Sequence, residues 1–189
     1  MDDLVLAALK KWPNVPDCRG WLGLDARGDW YMRDARTQAA GPFPQSRGSR
    51  VDHDKLRDFI DRNLGVDAQG QHFFQNGPQR VYLELEAAPC VWRVEPGVDT
   101  GSCAAPGVRA RGAPAVQPVT STWLDEHGRL FAQAANGRFG LVHTLDMGPA
   151  ADALEAGLWP EPAELAFAEL PARFGYVLSP AACGGASPV

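Results

Sequence analysis

The chain has 189 residues, a formal net charge of −5, 45% hydrophobic residues and 22% charged residues. This composition excludes wholesale disorder, which requires few apolar residues and a high net charge. Nucleic-acid binding normally uses a basic face, so the acidic balance predicts that nucleic acid is not a partner.

The N-terminal segment predicts a short helix and no membrane partner. The apolar run Leu4–Leu9 is far shorter than the roughly 18 residues of a membrane span. Asp2 and Asp3 precede it, where a signal peptide would carry positive charge. Lys10 and Lys11 are cations suited to the last turn of a helix. We therefore expect a cytoplasmic protein.

The cysteines predict neither a metal site nor a disulfide framework. They are Cys18, Cys90, Cys103 and Cys183, with no Cys-x-x-Cys pair among them. A structural zinc site needs clustered soft ligands. We therefore predict free thiols, no metal and no cofactor.

Three segments share one pattern: an aliphatic residue, Asp, two variable residues, Gly, a variable residue, a bulky residue and an aromatic residue. They are Leu24–Tyr31, Val66–Phe73 and Leu124–Phe131. An Asp at the first turn position accepts hydrogen bonds from following backbone N–H groups, and Gly supplies the positive φ of a three-residue hairpin loop. The pattern predicts three β-hairpins with equivalent turns, whose aspartates are structural and not metal ligands.

Between and after the hairpins, periodicity predicts helices and further strands. Residues 52–64 carry an amphipathic helical pattern with Asp52 as the cap. Residues 149–156 predict a second helix, residues 162–170 suggest a third, and residues 176–178 suggest a final strand. Hairpins separated by helices indicate an α+β fold, mostly β, with antiparallel sheets built from repeated hairpin-plus-helix units.

The segment 96–118 is rich in Gly, Pro and Ala and predicts a mobile loop on a single domain over residues 1–180. The alternative is a linker between two repeated sub-units, about 20–95 and 119–180. The tail 181–189 is predicted to be disordered.

The candidate ligand site lies on the predicted strand 80–86. Alternation places Val81, Leu83 and Leu85 on one face. The opposite face carries Arg80, Tyr82, Glu84 and Glu86. Such a stripe is most often the solvated face of a half-buried strand, but its polar side chains could also line a ligand pocket.

Trp92, on the next predicted strand, is expected to border this surface, and His143 is a further candidate, a polar group that could converge with Glu84 or Glu86. The other tryptophans, Trp12, Trp21, Trp30, Trp123 and Trp159, are expected in the core. No catalytic residue is predicted, because the sequence lacks the Gly-x-Ser-x-Gly, P-loop and His-Glu-x-x-His motifs.

Several runs resemble a family of proteobacterial proteins of unknown function. These runs are Gly28–Tyr31, Leu56–Ile60 with Leu64, Asp67-x-x-Gly70-x-x-Phe73, and Val81-x-Leu83-Glu84-x-Glu86-x-Ala88-Pro89. The resemblance covers about residues 20–95. It implies an α+β fold with repeated motifs and a role in signal transduction, and it supplies no catalytic residues.

Together these observations favour a non-enzymatic module that binds a small molecule or a protein partner. Two alternatives stay open at this point. One is an enzyme acting on a small metabolite through His143 with Glu84 or Glu86. The other is a scaffold or adaptor that self-associates through strand edges.

Overall fold

The structure is a computed structural model that describes residues 1–99 and 104–183. The strands are β1 (Cys18–Leu24), β2 (Trp30–Met32), β3 (Ser49–Arg50), β4 (Leu64–Val66), β5 (His72–Asn76), β6 (Gln79–Leu85), β7 (Val91–Asp99), β8 (Ala104–Ala110), β9 (Val119–Leu124), β10 (Leu130–Ala134), β11 (Phe139–Val142) and β12 (Ala163–Glu164). The helices are α1 (Asp3–Lys11), α2 (Ala35–Ala40), α3 (Asp54–Arg62), α4 (Met147–Glu155), α5 (Leu170–Phe174) and α6 (Pro180–Cys183). Two 3-10 turns, Thr144–Asp146 and Phe167–Glu169, precede α4 and α5. The predicted α+β class, mostly sheet, is confirmed.

The chain forms two compact units. Unit 1 contains residues 1–25, residues 29–87 and the segment that begins at Gly175. Unit 2 contains residues 26–28 and 88–174. The single domain over 1–180 and the alternative sub-units over 20–95 and 119–180 stay predictions. The return of the chain to unit 1 at Gly175 is a feature that sequence order does not reveal.

Unit 1 is a six-stranded sheet in the order β3-β2-β1-β6-β5-β4. All neighbouring strands are antiparallel except β1 and β6, which are parallel. Helix α3 packs on one face of this sheet, where Phe59 meets Phe74 edge to face at 5.5 Å and Ile60 is buried. Leu56, Phe59 and Ile60 lie at the i, i+3, i+4 spacing of one helix face, which is why α3 turns that face to the sheet.

Helix α3 is shorter than the predicted 52–64. His53 is the cap instead of Asp52, because its Nδ1 accepts the N–H of Leu56 at 3.4 Å. The helix ends at Arg62, and Leu64 begins β4 by pairing with Phe74. Leu64, which the helical pattern includes in the helix, is therefore part of a strand.

Unit 2 is a second six-stranded sheet, in the order β12-β9-β10-β11-β7-β8. One part of its core holds Trp92, Leu130 and Val142 together with Ala150 and Ala153 of α4. A separate aromatic cluster joins Phe131, Phe139 and Phe174. In it, Phe139 stacks on Phe174 at 3.8 Å and on Phe131 at 5.6 Å.

The two units share a topology. In each, a three-strand antiparallel meander pairs in parallel with the first strand of a preceding hairpin: β4-β5-β6 with β1 in unit 1, and β9-β10-β11 with β7 in unit 2. The predicted structural repeat is thus present as a repeated meander.

The prediction of a loop or linker over 96–118 is wrong for most of the residues that the structure describes there. Strands β7 and β8 pair from Trp92 with Ala110 to Asp99 with Ala104. A bulge between Glu95 and Val98 accommodates the Pro-Gly pair that signalled a loop. Strand β8 lies at the edge of its sheet, where a proline does not break the ladder.

Three predictions for the C-terminal part also need correction. Residues 162–170 hold β12 and a 3-10 turn in place of a helix, and residues 176–178 form no strand, although Leu85 donates its N–H to the carbonyl of Leu178 at 2.8 Å. The disordered tail was predicted from 181, but α6 extends to Cys183. Residues 184–189 lie outside the described residues.

Candidate functional site

The three repeated aspartates are turn residues, as predicted. The Oδ1 atom of each accepts the backbone N–H four residues on, at 2.9 Å for Asp25, Asp67 and Asp125 alike. The glycines that follow have φ between 71° and 78°, the left-handed region that a side chain disfavours. At Gly70 a side chain is also excluded by space, because a Cβ would lie 2.2 Å from the carbonyl oxygen of Gly175. These carboxylates therefore stabilise the turns of the three hairpins.

The second oxygen of each turn aspartate takes a side-chain donor. Tyr31 and Arg47 reach Asp25 at 3.3 and 3.1 Å, and Tyr82 reaches Asp67 at 3.2 Å. In unit 2, Arg129 donates to Asp125 at 2.7 Å. The pKa of Asp125 lies below its usual range: burial acts to raise it, and the hydrogen bonds and charge of Arg129 outweigh burial.

Residues 82–85 of β6 are buried on both faces, so the expectation of a solvated stripe from Arg80 to Glu86 is wrong at its centre. Tyr82 and Glu84 are both buried. Glu84 accepts the hydroxyl of Ser179 at 2.5 Å and the N–H of Ala181 at 3.1 Å. The C-terminal segment therefore covers this part of the strand, and Glu84 holds the start of α6.

The ends of the predicted stripe differ from its centre. Arg80 is exposed, and its guanidinium lies over the ring of Phe73 at 4.8 Å. Glu86 accepts two hydrogen bonds from Arg47, at 3.0 and 3.2 Å, and Arg47 also binds Asp25. Glu86 thus belongs to a charge network with Asp25, whereas Arg80 and Tyr82 stay close to each other.

Trp92 and His143, the remaining predicted site residues, belong to unit 2. Trp92 is only 1% exposed, and its indole N–H donates to the carbonyl of Ala132 at 3.0 Å. His143 is largely buried, and its Nδ1 accepts the N–H of Leu145 at 3.0 Å. Both side chains are engaged by the main chain of their own unit, so the six predicted residues do not form one cluster on a single strand face.

Next to His143, a buried carboxylate organises the same part of unit 2. Asp146 accepts two hydrogen bonds from Arg93, at 2.5 and 2.9 Å, and one from the N–H of Val94 at 3.1 Å. The hydrogen bonds from Arg93 hold the pKa of Asp146 below its ordinary value of 3.8 against the opposing effect of burial. This ion pair fastens the 3-10 turn to β7.

A cavity of unit 1 lies among strands β1, β2, β3, β5 and β6 and helices α2 and α3, with a volume of about 560 Å³. We call it the unit 1 groove. Its buried walls are Leu22, Ile60 and Phe74. Trp21 and Met32 line it as well but are 44% and 56% exposed. An apolar concavity of this size is typical of small-molecule sites.

Arg33 and Asp34 are the charged residues that line the groove. Arg33 is 3% exposed, and its three nitrogens donate to the carbonyls of Ser46 at 2.9 Å, Gly20 at 3.0 Å and Gly41 at 2.6 Å. Burial lowers the pKa of Arg33, and the nearby charge of Glu84 opposes that effect. Arg33 thus holds three backbone segments together.

Asp34 has a comparable structural task. Its Oδ1 accepts the N–H of Thr37 at 2.8 Å and the hydroxyl of Thr37 at 2.7 Å, which caps α2. These bonds hold the pKa of Asp34 below its usual range. Both charged side chains of the groove therefore form hydrogen bonds within the protein, and their charges are opposite in sign.

Several neutral polar side chains of the groove form no hydrogen bonds of their own within the described residues. Ser49, Asn76 and Cys18 line it, and within the described residues their side chains donate and accept no hydrogen bond. Cys18 is a free thiol, as is Cys183. Cys103 lies outside the described residues. Hydroxyl and amide groups of this kind orient a ligand without requiring it to be charged.

Sequence reasoning missed most of this groove. Trp21 was expected in the core, yet it lies exposed at the groove together with Met32. Trp30 and Trp159, in contrast, are buried as predicted. A bulge in β1 between Cys18 and Leu22 shifts the alternation, so that Trp21 and Leu22 both line the cavity. A bulge leaves no clear sequence signal here.

Unit 2 has a smaller pocket of about 350 Å³, lined in part by Asp125, Glu126, Glu164 and Glu169. Asp125 is bound to Arg129, and Glu126 accepts the N–H of Phe167 at 2.8 Å. The described ranges, 1–99 and 104–183, contain no group of three or more His, Cys, Asp or Glu side chains arranged to hold a metal ion. Nor does any helix within them have the length and apolar character needed to cross a bilayer.

Comparisons with known proteins give one family and two similar structures. No curated protein matches it significantly in sequence. Two solved structures are similar to it, both of DUF1285 family proteins. The one from Shewanella baltica OS155 has 14% identity and a TM-score of 0.48, covering 71% of this chain and 92% of that one. The one from Silicibacter pomeroyi DSS-3 has 13% identity and a TM-score of 0.47, covering 80% and 84%. A family model described as "Protein of unknown function (DUF2946)" matches residues 1–181, and the chain therefore belongs to that family of proteins of unknown function.

Proposed function

We propose that this protein is a cytoplasmic binding module whose unit 1 groove takes an uncharged, mainly apolar small molecule. The observation that carries the proposal is a cavity of about 560 Å³ with apolar walls, beside which Trp21 and Met32 stay exposed. Exposed large apolar side chains next to a concavity are typical of a surface that a ligand covers.

The charges at the groove support an uncharged ligand. A ligand carboxylate would compete with the carbonyls of Gly20, Gly41 and Ser46 for the Arg33 guanidinium, and a ligand cation would compete with Thr37 for Asp34. Either exchange removes hydrogen bonds that hold the walls of the groove in place. Ser49 and Asn76 can bind a ligand hydroxyl or carbonyl without such a loss.

The role in signal transduction that the family resemblance implies fits a module that reports on a small molecule by binding it, and we include that role in the proposal. The enzyme alternative depends on His143 with Glu84 or Glu86. His143 and Glu84 each already bind main-chain N–H groups of their own unit. Those contacts support a structural role for both residues.

A dye titration with two matched tryptophan variants tests the proposal. Nile red is an uncharged, apolar dye, and we expect it to bind the wild-type protein saturably. In Trp21→Glu the groove loses apolar surface and gains a charge, so the dissociation constant rises by about tenfold or more. Trp12→Glu removes a tryptophan of unit 1 that is 51% exposed and does not line the groove, so it leaves the dissociation constant unchanged.

Equal weakening by both substitutions would show that the dye responds to general surface hydrophobicity. A wild-type protein that binds no dye saturably would also refute the proposed site. Thermal unfolding of both variants serves as the control for folding, because both substitutions affect partly exposed side chains.

A further inference from the structure

Two arginines of unit 1 lie against aromatic rings instead of carboxylates. The guanidinium of Arg19, on β1, lies 4.2 Å from the ring centre of Tyr82. The guanidinium of Arg80, on β6, lies 4.8 Å from the ring centre of Phe73. Neither arginine forms an ion pair within the residues that the structure describes. Stacking satisfies the flat faces of the two cations and leaves N–H groups at their edges.

The two stacked pairs form one cluster. Phe73 and Tyr82 are cross-strand partners, and their rings meet edge to face at 5.9 Å. Arg80 also lies next to the Tyr82 hydroxyl: burial raises the pKa of Tyr82, and Arg80 acts in the opposite direction. Both cations therefore gather around Tyr82, one at its ring face and one at its hydroxyl.

The acidic groups around this cluster do not neutralise it by contact. Asp67 is occupied by the N–H groups of Gln69 and Gln71, both at 2.9 Å, and by the Tyr82 hydroxyl. Glu84, on the same strand, is occupied by Ser179 and Ala181. Asp17 acts on Tyr82 through its charge but is exposed to solvent.

One donor of the cluster is left without a partner. The Nε of Arg19 is buried, and no atom of residues 1–99 or 104–183 accepts its hydrogen. A buried donor without an acceptor costs about 1–3 kcal/mol, so such donors are uncommon unless a ligand or water binds them. The cluster therefore has two guanidinium groups around one phenol, and the Nε–H of Arg19 lacks an acceptor in the described ranges. A ligand group with several oxygens suits such a set of donors.

We propose that Arg19 and Arg80 form a binding site for the oxyanion group, a phosphate or a carboxylate, of a small molecule. The guanidinium edge offers paired N–H donors whose spacing matches two oxygens of one such group. Tyr82 and Phe73 keep the two cations in place before the ligand arrives, which lowers the ordering cost of binding. This site is separate from the unit 1 groove, since none of these four residues lines that cavity.

Isothermal titration with pyrophosphate and with citrate, at constant ionic strength, tests the site and separates phosphate from carboxylate recognition. We expect at least one of these anions to bind the wild-type protein saturably. The variants Arg19→Gln and Arg80→Gln each raise its dissociation constant by about tenfold, because a charged hydrogen-bond donor is lost. Arg36→Gln, which removes an exposed arginine of α2, is the matched control and leaves binding within twofold.

The proposal is overturned if neither anion binds saturably, or if Arg36→Gln weakens binding as much as the other two variants. Arg19→Lys separates geometry from charge: it keeps the cation but loses the planar donor pair, and we expect it to bind more weakly than wild type. If Arg19→Gln fails to fold, Arg80→Gln still decides the question, because Arg80 is exposed. Nile red binding is unaffected by these variants, so the two proposed sites can fail independently.

Discussion

Replacing Trp92 with alanine is expected to lower the free energy of unfolding by about 3–5 kcal/mol, the range for a buried aromatic residue. Trp92 is 1% exposed in the core of unit 2, and its indole N–H binds the carbonyl of Ala132. Truncation leaves a cavity and an unpaired carbonyl together. Chemical denaturation monitored by circular dichroism measures the loss.

Two further variants identify the cause of that loss. Trp92→Phe keeps most of the volume but loses the hydrogen bond, and we expect a smaller cost of about 1–2 kcal/mol. Trp12→Ala, at an exposed tryptophan, is expected to change stability by about 0.5 kcal/mol or less. A Trp92→Ala protein as stable as wild type would contradict the core position and return Trp92 to the ligand-facing role predicted from the sequence.

Replacing Arg33 with methionine is expected to cost about 3 kcal/mol of unfolding free energy or more, because buried carbonyls lose their donors. The guanidinium binds the carbonyls of Gly20, Gly41 and Ser46, which belong to different backbone segments. Methionine fills a similar space but donates no hydrogen bond. We also expect weaker Nile red binding, since these segments support the walls of the unit 1 groove.

Arg36→Met is the matched control for Arg33→Met. Arg36 lies on α2, a few residues away, and is exposed. Its replacement is expected to change stability by about 0.5 kcal/mol or less. If the two variants have equal stability, the three hydrogen bonds of Arg33 do not stabilise the fold, and only the loss of a positive charge affects stability. Arg33→Lys supplies one donor group in place of three nitrogens and should recover only part of the loss.

Local features of the fold were predictable from the sequence. The Asp25, Asp67 and Asp125 turns were predicted because an Asp and a Gly at fixed spacing act on their own backbone. The amphipathic helix α3 followed from its periodicity, with an error of two residues at each end. In both cases the chemistry lies within one segment of the chain.

Features that depend on distant residues were not predictable. The strand alternation predicts a solvated position for Glu84, but Ser179, 95 residues later, covers it. No sequence pattern marked Arg19 as a site residue, because its role depends on stacking against Tyr82 of the neighbouring strand. Of the predicted ligand residues, Arg80 and Tyr82 belong to the proposed anion site, while Glu84, Glu86, Trp92 and His143 form hydrogen bonds within the protein.

The Pro-Gly segment after Glu95 shows a different failure. Proline and glycine there predicted a loop, yet a bulge in β7 and the edge position of β8 allow pairing to continue. Composition measures the average tendency of a segment. It does not show whether a neighbouring strand is available to pair with it.

The methionine methyl groups give the most direct test of the unit 1 groove. The chain has three methionines, Met1, Met32 and Met147. Met32 lines the groove, whereas Met147 belongs to unit 2. With ¹³C-methyl methionine labelling, and assignment through Met32→Leu, we predict that Nile red shifts the Met32 signal saturably and leaves the Met147 signal in place. Saturable dye binding with an unmoved Met32 signal would place the ligand elsewhere and contradict the proposed function.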